Sequence, residues 1–194
     1  MVLDHGCSIS ATPLTEMLNN NRGPLLKRVT AHGAVPSLGT DTDIYFNSSM
    51  LAVTRHAFLH EREADNSALD SRGAWPSSGP HSMTTREALA WTITGGARAL
   101  RLEHSIGSIS LGKQADLIMV KCDGPSVYPA MEQGGDPFHA LVMYAEAADV
   151  DTVLVAGKLL KHGGVLRFPE QVIRNLADRL RASRSRVMGV AGFE

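Results

Sequence analysis

Between Gly6 and Asp41 the chain alternates a short strand-like run, a helical stretch and a second apolar run, and no other feature restricts the fold as much. Gly6 to Ser10 is a strand candidate closed by Ala11-Thr12-Pro13. Pro24 then opens a helix that Gly33 closes, with proline at the first helical position and glycine just past the end. Ala34 to Leu38 is a short apolar run ending at Gly39-Thr40-Asp41, which suits a strand buried on both faces of a parallel sheet. The sum is a βαβ unit, and the chain is expected to be an α/β protein.

After Asp41 the apolar residues Met50, Val53, Ala57 and Phe58 recur at spacings of three and four until Glu61-Arg62-Glu63, predicting a helix capped by Asn47 or Ser48. Residues 65–82 are rich in Ser, Gly, Pro, Asp and Asn and predict a surface loop. Thr84 and Glu87 form a capping box. Ala88, Leu89, Ile93, Ala97 and Leu100 then predict the buried stripe of a helix ending near Arg101. Gly95-Gly96 inside that helix costs about 1 kcal/mol per glycine relative to alanine, which close packing against another backbone would explain.

The last third predicts strands at Ala115 to Val120, Ala140 to Tyr144 and Asp151 to Val155, with Gly157 turning a hairpin into Lys158-Leu159-Leu160. Phe168-Pro169-Glu170 begins a final helix with Val172, Ile173, Leu176 and Leu180 on one face, which frays into Arg-rich sequence. With 19 Lys+Arg against 20 Asp+Glu in 194 residues, the formal net charge of −1 gives no electrostatic case for nucleic acid or an anionic membrane. No apolar run approaches the roughly 18 residues of a membrane span. The two cysteines, Cys7 and Cys122, predict no disulfide framework, and a reducing, cytoplasmic setting is expected.

Three blocks resemble one family: Thr85-Arg86-Glu87-Ala88-Leu89, Thr94-Gly95-Gly96-Ala97-Arg98-Ala99-Leu100, and Gly107-Ser108-Ile109 leading to Leu111-Gly112-Lys113 and Ala115-Asp116-Leu117-Ile118. They look like the C-terminal segment of metal-dependent amidohydrolases, in the branch of cytosine deaminases, chlorohydrolases and triazine hydrolases. Val150 to Lys158, with Gly163-Gly164 following, is similar to the hairpin that closes the family's small β domain, and Pro36 to Asp43 looks like the end of its eighth barrel strand. The resemblance covers residues 5–165 and implies three parts. Residues 1–105 are the last two or so βα units of a (β/α) barrel, 106–167 the C-terminal strands of a β-sandwich domain, and 168–194 a closing helix and tail.

The implied parent activity is hydrolysis of a non-peptide C–N bond in a small heterocycle or amide, with zinc or iron as cofactor. Asp41 is the catalytic candidate: in the family the matching aspartate binds the metal and shuttles a proton from the metal-bound water to the leaving nitrogen. The alternative reading of the residues is that Asp41 and Asp43 cap the following helix or bind one another's loop. His81, in the 65–82 loop, is the single histidine best placed to face a substrate. Lys113 and Asp116 belong to turn chemistry, with Asp116 expected to satisfy backbone donors. His56 and His60 stand i, i+4 on a predicted helix but lack the intervening glutamate of a metalloprotease pair. Glu16 fits either the barrel mouth or a helix start.

The family's His-x-His pair and its other ligands precede the matched region, and this sequence contains no His-x-His. A catalytic zinc needs about three protein ligands, so the chain alone is expected to be inactive. Its implied partners are a small-molecule substrate and either further copies of itself or a missing N-terminal barrel segment. The rival expectations are a non-catalytic binding or scaffold protein and one half of a split enzyme.

Overall fold

The structure, a computed structural model, describes residues 2–19, 23–42, 48–75 and 83–191. The expected βαβ unit is present. Strand β1 (Ser10–Ala11) pairs in parallel with β2 (Ser37–Leu38), Ser10 opposite Ser37 and Ala11 opposite Leu38, and helices α1 (Pro13–Asn19) and α2 (Leu26–Ala31) lie between them in sequence. The ladder is extended by amide bonds from Ser37 to the Ile9 carbonyl and from Gly39 to that of Ala11, 3.0 and 2.9 Å. Ala11, Ser37 and Leu38 are buried, as a strand covered on both faces requires. Both strands are shorter than the sequence predicts, and β1 is preceded by a 3-10 turn, Val2–His5, and by Gly6 at φ 71°. The described residues contain this one parallel pair and no closed barrel.

Helix α3 (Met50–Asp70) corrects two expectations. Its cap is Ser49, whose hydroxyl accepts from the Ala52 amide at 3.4 Å, rather than Asn47 or Ser48; Asn47 lies outside the described residues. The helix also runs through the charged stretch and takes up 65–70, the start of the expected loop. Charge does not end a helix when it finds partners: Lys27 pairs with Asp65, the Ser67 hydroxyl donates to Glu63 at 2.6 Å, and the Arg62 guanidinium lies 5.9 Å from the Phe58 ring centre.

The Thr84–Glu87 capping box opens α4 (Thr85–Ala90), which passes through a π-turn (Trp91–Gly95) into α5 (Gly96–Ala99). Trp91 and Gly95 are buried, whereas Ile93 and Leu100 of the predicted stripe are 47% and 69% exposed, because the π-turn breaks the regular helical period. The close approach expected at Gly95 is real: a Cβ there would collide with the Pro36 carbonyl oxygen.

The second layer is an antiparallel sheet in the order β3 (Leu117–Val120), β4 (Val150–Val155), β5 (Lys158–His162), β6 (Val165–Leu166). Ala156 and Gly157, at φ 48° and 77°, turn the predicted β4–β5 hairpin. Residues 140–144 are not a strand. They belong to α7 (Pro137–Tyr144), preceded by the short α6 (Tyr128–Met131); Asp136 caps α7 through the Phe138 amide at 3.0 Å, and Pro137 occupies its first position. Arg55 of α3 fixes the end of α7, donating to the carbonyls of Val142 and Ala145 at 3.0 and 2.7 Å and pairing with Glu146 at 2.6 Å. The last helix, α8 (Glu170–Ala191), continues through the arginine run instead of fraying there and buries none of its residues.

Two apolar clusters hold the layers. One joins the parallel strands to α3, α4 and Trp91 through Leu26, Leu38, Val53 and Phe58; the other gathers Leu51, Val127, Ala140 and Ala145 beside β3 and β4.

Candidate functional site

The C-terminal exits of β1 and β2 lie side by side, because the strands are parallel and in register. Asp41 follows β2 by three residues. It is exposed and adopts φ 61°, a left-handed conformation that aspartate tolerates better than most residues and that turns the chain out of the ladder. At the neighbouring exit, Glu16 folds back to accept from the Thr12 amide at 2.8 Å, which resolves its two readings in favour of the helix start. His81 and Asp43 lie outside the described residues.

The remaining histidines do not converge. His56 Nδ1 bonds the Ala52 carbonyl of its own helix at 2.7 Å, and His60 Nδ1 stands 3.5 Å from Glu61. His139 meets Tyr144 edge-on, His162 Nδ1 contacts the Thr152 hydroxyl at 3.2 Å, and His104 is exposed. Among the described residues no group of three His, Cys, Asp or Glu side chains is placed to hold a metal ion. Asp41 supplies one carboxylate where a catalytic zinc needs about three protein ligands. These residues by themselves therefore do not fit a resident metal.

Lys113 and Asp116 are occupied structurally. The Lys113 ammonium donates to the Glu103 and Ile106 carbonyls at 2.6 and 3.2 Å and to the Ser108 hydroxyl at 2.7 Å. Asp116 accepts from the Ala156 amide at 2.6 Å, tying β3 to the hairpin turn. Sequence reasoning missed Glu61. Although charged, it is 2% exposed, and burial pushes its carboxyl above the ordinary value against the opposing pull of His60 and Lys27. No local pattern announces it, because Lys27 reaches it from another helix.

Among the described residues two cavities of some size stand out, and neither is lined by Asp41. One, about 900 Å³, lies between α3, α4 and the sheet; its lining is apolar apart from a few hydroxyls, including Thr54 and Thr92, and Cys122. The other, about 810 Å³, lies between α3 and the start of α4 and includes Arg62, Glu63 and His139.

A parallel βαβ unit followed by an antiparallel sheet defines an α/β scaffold, with Asp41 at the exit of its second parallel strand. Residues 1–160 match the model of the amidohydrolase family, and the chain belongs to that family. It is 34% identical to a 5-methylthioadenosine/S-adenosylhomocysteine deaminase of Moorella thermoacetica over 158 residues, 80% of this chain and 33% of the relative. To the deaminase of the same name from Desulforudis audaxviator it is 30% identical over 177 residues, 90% of this chain and 37% of the relative. Among solved structures, an adenosine deaminase from Xanthomonas campestris with bound zinc shares the fold at TM-score 0.74 and 21% identity, over 95% of this chain and 39% of its own. Atrazine chlorohydrolase from Arthrobacter aurescens, complexed with zinc, does so at 0.72 and 20%, over 90% and 35%. The chain thus spans about a third of the length of the curated relatives it matches.

Proposed function

We propose that this chain is the C-terminal portion of a hydrolytic deaminase acting on an amino-substituted heterocycle, with adenine-type nucleosides as the first substrates to try. The observation that carries the reading is Asp41, an exposed carboxylate at the exit of β2 within the region that matches the family. In that role Asp41 takes a proton from the attacking water and passes it to the leaving nitrogen, a general base that becomes a general acid. The other groups of the site come from the upstream two-thirds of the family fold. His81 is proposed to line the substrate side of the completed site.

The test is co-expression with the upstream two-thirds of a family relative, followed by an assay for ammonia released from 5-methylthioadenosine and adenosine with zinc supplied. The expected result is turnover that Asp41→Asn reduces by about 10²–10⁴-fold with an unchanged melting temperature. An assembly that forms but stays silent on these amino-heterocycles overturns the reading, and turnover that survives Asp41→Asn removes Asp41 from it.

A further inference from the structure

Strand β2 is held from two directions. On one side its ladder runs to β1, ending at the Gly39 amide on the Ala11 carbonyl. It also rests on Gly95, the last residue of the π-turn. A Cβ at Gly95 would collide with the Pro36 carbonyl oxygen and lie 3.2 Å from the Pro36 carbonyl carbon and 3.4 Å from Ser37 Cα. These are backbone atoms, which cannot swing aside as a flexible side chain would. Gly96 is different, since a Cβ there meets nothing within 4 Å.

The π-turn is itself gripped. Gly107, at φ 84°, sits so close to α5, which continues the π-turn, that a Cβ would stand 2.6 Å from Ala97 Cβ, and it would touch the Ile93 carbonyl oxygen of the π-turn at 3.6 Å, an ordinary contact. Lys113 fixes that loop through the Glu103 and Ile106 carbonyls. π-Turns in helices are uncommon and concentrate at functional sites. This one abuts the strand from which Asp41 emerges, and only Leu38, Gly39 and Thr40 separate Ser37 from that carboxylate.

We infer that the Trp91–Gly95 π-turn fixes the position of Asp41 by clamping β2 at Pro36 and Ser37, which makes Gly95 a positioning residue for the reaction proposed above. The inference rests on that reading only for its catalytic consequence. A displacement of about 1 Å at a reacting group costs about a hundredfold in rate, so a side chain at Gly95 acts on turnover without touching substrate.

The experiment compares Gly95→Ala with Gly96→Ala by amide hydrogen exchange in the chain itself and by steady-state kinetics in the co-expressed assembly. The expected result for Gly95→Ala is exchange at Ser37 and Gly39 faster by at least tenfold relative to Val53 and Ala88, and kcat lower by at least tenfold with KM within twofold. Gly96→Ala changes neither. Uniformly faster exchange across the molecule, or unchanged protection at Ser37 and Gly39, overturns the clamp. If Gly95→Ala does not fold, Lys113→Gln decides: selective loosening of Ser37 and Gly39 supports the clamp, and its absence overturns it. A wild-type assembly with no turnover overturns the proposed reaction, while the exchange comparison still decides the clamp.

Discussion

Single residues in this chain divide into those that face chemistry and those that satisfy the backbone, and Asp116 belongs to the second group. Its carboxylate accepts the Ala156 amide at 2.6 Å, at the turn where Ala156 holds a positive φ that a residue with a side chain adopts only under constraint. Asp116→Ala removes that hydrogen bond, which is exposed at both ends so that water takes the carboxylate's place, and is expected to lower stability by about 0.5–1.5 kcal/mol, read as a lower melting temperature. Glu61 makes a prediction in pH. Burial raises its carboxyl above 4.5, outweighing His60 and Lys27, so the folded chain holds this proton more tightly than the unfolded chain. Its favourable contribution is therefore whole below about pH 4.5 and is lost as pH rises through the raised folded value. Glu61→Gln keeps the group neutral, so its urea midpoint should gain on wild type between pH 4.5 and 7. A difference between the two that stays constant over that range would show that burial does not govern the group.

At the scale of elements, α8 is the simplest to predict. Its 22 residues include none that is buried, and Leu180 on the expected apolar face is 71% exposed. Truncation after Phe168 is thus expected to leave the thermal unfolding of the remaining layers within about 0.5 kcal/mol of the full chain, the range of surface changes. A larger loss would mean that α8 is covered in solution. Elements with local signals were legible in sequence: the Thr84–Glu87 box, the Gly157 hairpin and the Gly33 end of α2 are written in capping or turn residues, whereas α2 starts at Leu26, two residues past the Pro24 expected to open it, with no side-chain cap to mark that start. Ala140 to Tyr144 was misread because a five-residue apolar run has no period that separates strand from buried helix, and the Asp136-Pro137 start that decides it lies upstream. The π-turn was invisible because the backbone it abuts, Pro36 against Gly95, is more than fifty residues away in the chain. The candidate site was legible to the extent of one residue, Asp41, since a strand exit can be read locally whereas a constellation of ligands is a property of the closed fold.

The whole molecule is an open assembly of two layers, and its exposed apolar surface follows from that. In an intact sheet of this size one face is covered by another layer, but here Leu117, Met119 and Leu159, which the ladder places on one face through Leu154, are all 36% exposed or more. Leu117 and Met119 alternate with Ile118, which lines the cavity toward the helices, so they lie on the opposite face of β3. Contiguous apolar surface of this kind drives association in water. Sedimentation velocity of the chain by itself is therefore expected to show a weight-average mass that rises with concentration. Met119→Lys, at a position that is 56% exposed and so free of packing cost, should lower that mass at a given concentration while leaving the melting temperature of the dilute chain unchanged. The upstream segment of a family relative should compete for the same surface: its addition is expected to suppress self-association and dye binding to exposed apolar groups together. Suppression of neither, with a segment that is itself folded and soluble, would show that the open sheet is not the face on which the fold is completed.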